Sequence, residues 1–150
     1  MDNIALQSTS IERVGHIEVA TTQTIYAAPD FAADVNRLVA HIHNGNVAAG
    51  WWSDLETGKK KDRNVGELLM LAVSELAEAM EGHRKGLMDD KLPHRPMMEV
   101  ELADTVIRIF DMAGGLGFDL GGAIVEKLAY NAKREDHKIE NRLKADGKKY

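Results

Sequence analysis

Two pairs of acids stand out by their spacing. Glu75 and Glu78 are three residues apart, and so are Glu101 and Asp104, after an interval of twenty-two residues. On a helix, residues i and i+3 share a face, so each pair presents two carboxylates side by side. The interval is long enough to finish one helix, turn and return antiparallel, which lets the pairs face one another across a groove. Four converging carboxylates form a ligand set for hard divalent cations such as Mg²⁺ or Mn²⁺. Without a cation they repel and raise one another's pKa.

Paired Glu residues on a helix ordinarily belong to a solvated face. The first pair departs from this. At about 100° per residue, Glu75 falls among Leu68, Leu71 and Ala79, inside the apolar arc, with Glu78 at its edge. An acid in an apolar stripe needs a partner or a cation. The second pair is less distinctive. Val100, Ala103, Val106, Ile107 and Phe110 lie away from Glu101 and Asp104, so periodicity also allows that pair to be plain surface.

Basic and aromatic groups supply a complement. Lys127, Asn131, Arg134 and Lys138 are spaced 4, 3 and 4, one ridge if a single helix carries them. Such a ridge can hold phosphate oxygens or pair with neighbouring acids. Trp51-Trp52 offers a flat face for a nucleobase or anchors its loop on the helices. His41, Asn44 and Asn64 can bond a base edge, or serve as caps and surface groups. Asp136-His137 has a local charge role. The glycines of 114–122 match neither a phosphate-binding loop nor a dinucleotide fingerprint, and there is no Gly-x-Ser-x-Gly elbow.

The elements that must position these groups are helical. Residues 1–28 lack helical periodicity and read as an irregular N-terminal arm, with alternation for a short strand over 16–21. Residues 29–150 read as one helical domain. Asp30 opens a first helix, with Val35, Leu38, Val39 and Ile42 in register, ending near Gly50. A loop follows from Trp51 to Arg63. Asn64, with Glu67 three residues on, opens a second helix that ends at Gly82 or Lys85. A third spans Met97 to Ala113 and stops at Gly114-Gly115. Asp119 opens a long fourth helix running to about Arg142. The expected fold is all-α, a four-helix bundle.

With 150 residues the chain is of single-domain size. It has no cysteine, which excludes a disulfide scaffold, thiol catalysis and Cys-ligated metal. No apolar run is long enough to span a membrane, and the first residues lack the apolar stretch of a signal peptide. A cytoplasmic protein is the expectation. The net charge of −5 argues against nucleic acid as a partner, but suits a polyanionic substrate if metal ions stand between.

Three blocks carry a family likeness: Ser74-Glu75-Leu76-Ala77-Glu78-Ala79, Glu101-Leu102-Ala103-Asp104-Thr105-Val106-Ile107-Arg108, and Lys127-Leu128-Ala129-Tyr130-Asn131-Ala132-Lys133-Arg134. In order and spacing they resemble the signature of the MazG-like all-α nucleoside triphosphate pyrophosphohydrolases, over roughly residues 30–140. Ser74 and Val100 stand where many members carry a further acid. The resemblance implies a homodimer or homotetramer of helical bundles, in a bacterial or phage-infected cell. It implies hydrolysis of a (deoxy)nucleoside triphosphate to the monophosphate and pyrophosphate, in nucleotide pool control. By that likeness Glu75, Glu78, Glu101 and Asp104 hold two or more Mg²⁺ or Mn²⁺ ions. Glu75 and Glu78 are also catalytic, and Glu78 orients the attacking water. Lys127, Asn131 and Arg134 meet the phosphates, and His41, Asn44, Trp51 and Trp52 meet the base. The tryptophans and their amide and imidazole neighbours suggest a purine such as dGTP or GTP. A related phosphohydrolase acting on dUTP/dUDP or phosphoribosyl-ATP is the alternative, as is a non-catalytic helical metal-binding or interaction protein.

Overall fold

A computed structural model describes residues 11–14, 17–20 and 30–149. Strands Ile11–Val14 (β1) and Ile17–Ala20 (β2) pair antiparallel, Ile11 opposite Ala20 and Val14 opposite Ile17. β2 falls inside the stretch expected to be extended. β1 falls in the part of the arm for which no regular element was expected, and both strands are rich in β-branched residues. The expected boundary at residue 28 lies outside the described residues.

Helix α1 spans Phe31–Ala48, with Val35 and Val39 buried as the periodicity requires. Gly50 follows it with φ of 86°, a left-handed conformation that glycine adopts without strain. Helix α2 spans Val65–Lys85. Asn64 Oδ1 accepts from the backbone N–H groups of Gly66 and Glu67, so two of the helix's free donors are satisfied.

Helix α3 spans Met97–Leu116 and closes at Gly117. It therefore runs three residues beyond the expected end at Ala113, through Gly114-Gly115. Those glycines are contact points. A β-carbon on Gly114 would lie 2.5 Å from His43 Cβ, and one on Gly115 only 2.0 Å from the Trp52 ring.

Helix α4 spans Leu120–Ala132, ten residues short of the expected end. A 3₁₀ turn at Glu135–His137 and a one-turn helix α5, Ile139–Arg142, follow. Arg134 and Lys138 have extended backbones at the two breaks. Local side-chain bonds hold this conformation: Arg134 to Asp136, Lys138 to Glu135, and Asn141 Nδ2 to the Glu135 carbonyl. Such bonds compete with helix continuation.

The chain divides into two compact units, Asn36–Asp119 and the residues before and after it. Within the first, α2 and α3 pack along one another. Gly82 abuts Met97, while Glu75, two turns earlier in α2, meets Arg108 of α3, so the helices run antiparallel. The 86–96 connection is closed by a neck: Met97 N donates to Leu87 O and Asp89 N to Arg95 O, both at 3.0 Å. The buried Asp89 carboxylate accepts from the N–H groups of Lys91 and Leu92. In the second unit, Gly121 lets the start of α4 approach the Ala32 carbonyl of α1.

Leu68, Ala72 and Ala79 of α2, Ala113 of α3 and Trp52 are buried. A second apolar row is not. Leu69, Val73, Leu76 and Met80 on α2, with Leu102, Val106 and Ile109 on α3, are 36% to 59% exposed. Among the described residues no helix is long and apolar enough to cross a membrane.

Candidate metal centre

Glu75, Glu78 and Glu101 converge. Each offers one carboxylate oxygen, and the three lie within 4.8 Å of one another. Glu75 and Glu101 are buried, each 8% exposed, while Glu78 is exposed. The antiparallel pairing of α2 and α3 makes this possible, with α2 presenting both its acids towards Glu101 at the start of α3. This group of three can hold a metal ion.

Asp104, the fourth expected ligand, lies outside that group of three. It is half-buried one turn along α3. Burial and the Glu75 charge push its carboxyl above the usual aspartate range, Asp89 adds to this, and Arg108 opposes it.

Glu101 is strongly perturbed. Burial first, then the charges of Glu78, Glu75 and Asp104, push its pKa from 4.5 up to about 7. Protein groups leave these negative charges only partly compensated, the condition in which a hard cation is most favourable.

One internal cation is present. Arg108 Nε and Nη2 lie 3.1 and 3.0 Å from Glu75 Oε1. Sequence reading did not single this residue out. Its signal was a lone Arg one turn after Asp104, on the same side of α3 as the acids.

The expected base-contacting residues separate by burial. Trp51 is 64% exposed, whereas Trp52 is 5% exposed and anchors the loop. Trp52 Nε1 donates to Asp111 Oδ1 at 2.8 Å, and His43 Nδ1 lies 2.9 Å from the same oxygen. The His43 ring stands edge-on to Trp52, with centroids 5.0 Å apart. Arg63 lies over the Trp52 ring and donates from Nη1 to the Trp51 carbonyl. His41 and Asn44 are exposed on α1. Asp111 and His43 were missed in the sequence, where the glycines that seat this cluster looked like a helix stop.

The expected phosphate contacts lie in the other unit. Lys127 Nζ sits 4.9 Å from the Tyr130 ring centre. Asn131 Oδ1 is buried with no hydrogen-bond partner among the described residues. Arg134 lies beyond the end of α4 and forks onto Asp136, at 2.9 and 2.6 Å. The expected single-helix ridge through Lys138 is thus broken, because α4 ends before Arg134 and both cations pair with local acids.

Neither family models, curated proteins nor solved structures yield a match to the chain.

Proposed function

We propose that this chain is a metal-dependent nucleoside triphosphate pyrophosphohydrolase, releasing a monophosphate and pyrophosphate, with the helical bundle of the MazG-like enzymes. The observation that carries the reading is the convergence of Glu75, Glu78 and Glu101 within 4.8 Å across α2 and α3. Carboxylate-only ligands favour Mg²⁺ or Mn²⁺ over softer ions. Glu75, Glu78 and Glu101 would hold the ion, with Asp104 one turn away as the candidate ligand for a second. Bound there, the metal would supply charge to offset the triphosphate and would acidify a water as nucleophile.

The remaining steps belong to the chain. Arg108 holds Glu75 in orientation through a charged hydrogen bond. Glu78, exposed and without such a clamp, orients the attacking water for in-line displacement at the α-phosphorus. Lys127, Asn131 and Arg134, in the other unit, are the phosphate contacts that the MazG-like resemblance implies. An Asn131 amide turned over to present Nδ2 gives a phosphate oxygen a buried donor. Trp51 supplies an exposed ring against which a base stacks. A purine such as guanine is the favoured base.

A second copy covers the outward row of α2 and α3. Its 4, 3, 4 spacing (Leu69, Val73, Leu76, Met80) is that of a helix-packing seam, and soluble monomers rarely leave so much apolar surface open. The active form is therefore a homodimer or homotetramer.

Pyrophosphate release from a panel of triphosphates with Mg²⁺ tests the reading. Wild type should form monophosphate and pyrophosphate, and Glu75→Gln should lose the activity. Equal rates for the two proteins, or diphosphate and phosphate as products, would reject it.

A further inference from the structure

We propose that Asp111 is a positioning residue that builds a nucleobase subsite at Trp51 by locking His43 and Trp52 onto α3. The identity of the ligand rests on the function proposed above; the lock itself does not.

The lock is built from four parts of the sequence. Asp111 is 8% exposed, near the end of α3, and a single oxygen receives both the Trp52 indole and the His43 imidazole. Gly114 and Gly115 remove the side chains that would collide with those two rings. Arg63 closes the loop from its far end, over the Trp52 ring and onto the Trp51 carbonyl. Within the loop, Lys61 N donates to the Trp52 carbonyl at 2.9 Å and Asp54 N to the Lys59 carbonyl at 2.8 Å. Segment 51–63 is thereby tied to α3 at its start and fastened to itself at its end.

Two chemical consequences follow. An ionised carboxylate only accepts, so the His43 proton must sit on Nδ1. In water the neutral imidazole prefers its proton on Nε2, so Asp111 selects the other tautomer and leaves Nε2 as an acceptor. The second consequence concerns Trp51. Its neighbour is immobilised by the indole bond and its carbonyl is held by Arg63, while its own ring stays in solvent. An aromatic face held on a fixed backbone binds a flat heterocycle with little ordering cost.

The test needs no catalysis. In metal-free protein, ¹H–¹⁵N long-range NMR spectra should show His43 with a protonated Nδ1 and a bare Nε2. In Asp111→Ala that pattern should revert towards Nε2–H, and the Trp52 indole N–H signal should move upfield. Asp111→Asn, which keeps one acceptor oxygen, should retain most of the indole shift and guards against loss of folding. Deoxyguanosine monophosphate should quench the emission of the protein with both tryptophans in place, an effect absent in Trp51→Phe. Asp111→Ala should weaken the Trp51 quenching at least tenfold. In turnover the same variant should raise KM about tenfold and leave kcat within twofold. A wild-type His43 protonated on Nε2 overturns the lock. Quenching that is absent, or unchanged by Asp111→Ala, overturns the subsite. Quenching without hydrolysis of any triphosphate would sink the proposed activity and leave this inference standing.

Discussion

Glu75 and Arg108 form a clamp across the antiparallel helices, with Nε and Nη2 of the guanidinium both reaching Glu75 Oε1. The carboxylate is 10% exposed and the guanidinium 44%. Arg108 thus occupies the position a divalent ion would compete for, and also fixes the ligand that the ion needs. Arg108→Ala should lower metal-free stability by about 1 kcal/mol, the worth of a charged hydrogen bond discounted for the exposed partner. The same change should tighten Mn²⁺ binding, because a competing cation is gone. Urea unfolding in chelator and calorimetric Mn²⁺ titration check the two halves; unchanged stability together with weaker binding would contradict the clamp.

The raised pKa of Glu101 gives stability a definite pH dependence. The folded value is about 7 against an ordinary 4.5, so between those values the folded chain holds a proton that the unfolded chain has released. Stability that is present in acid is therefore lost as pH rises through this window, and the loss levels off above it. Metal-free protein should melt a few degrees lower at pH 8 than at pH 5 on this account. Glu101→Gln should flatten the difference, and Mg²⁺ should raise Tm more at pH 8 than at pH 6. Thermal scans of both proteins in chelator and in Mg²⁺ decide it.

Glu78 is the exposed member of the acidic group, so its removal separates chemistry from folding. Glu78→Gln should change stability by no more than about 0.5 kcal/mol, as for ordinary surface substitutions. Pyrophosphate release should fall about 100-fold or more, the scale of a lost general base. Retained turnover would assign the water to another group.

The glycine pair in α3 makes a prediction opposite to helix propensity. Gly115→Ala should gain about 1 kcal/mol in an isolated helix. Here the new methyl group meets the Trp52 ring at 2.0 Å. Overpacking of this kind costs about 1–3 kcal/mol, so a net destabilisation is expected. It should come with a red-shifted Trp52 emission, read in a Trp51→Phe background.

The outward row on α2 should respond to charge. Leu76→Glu places a carboxylate in the proposed seam, at a position 47% exposed in the single chain. It should dissociate the assembly to monomers while leaving helical content intact, as light scattering and circular dichroism would report. A wild-type chain that is monomeric at micromolar concentration would remove the proposed second copy.

The sequence carried the helical pattern well where periodicity and caps agreed. α1 and α2 start and end near their expected residues, because Asn64, Gly50 and Gly86 act locally. It failed where distant contacts decide. Gly114-Gly115 looked like a stop, but these residues continue α3 and admit His43 and Trp52. Helix α4 looked continuous to Arg142, but local ion pairs around Glu135 and Asp136 end it earlier. The acidic group was legible since one turn of helix separates its members on α2. Arg108, Asp111 and His43 were not, because what singles them out is a partner far along the chain.

The neck of the 86–96 connection separates two kinds of length. Leu87 and Asp89 on one side meet Met97 and Arg95 on the other, so the phase of α3 against α2 is set below the neck. An extra residue between Arg95 and Glu101 would turn the downstream acids about 100° around their axis and scatter them. An extra residue at 93–94, beyond the Lys91 and Leu92 N–H groups that the buried Asp89 carboxylate holds, enlarges a solvent-facing lobe. That tip is the natural graft point in this chain, where a foreign epitope or a fluorophore can be inserted without disturbing the carboxylates behind it.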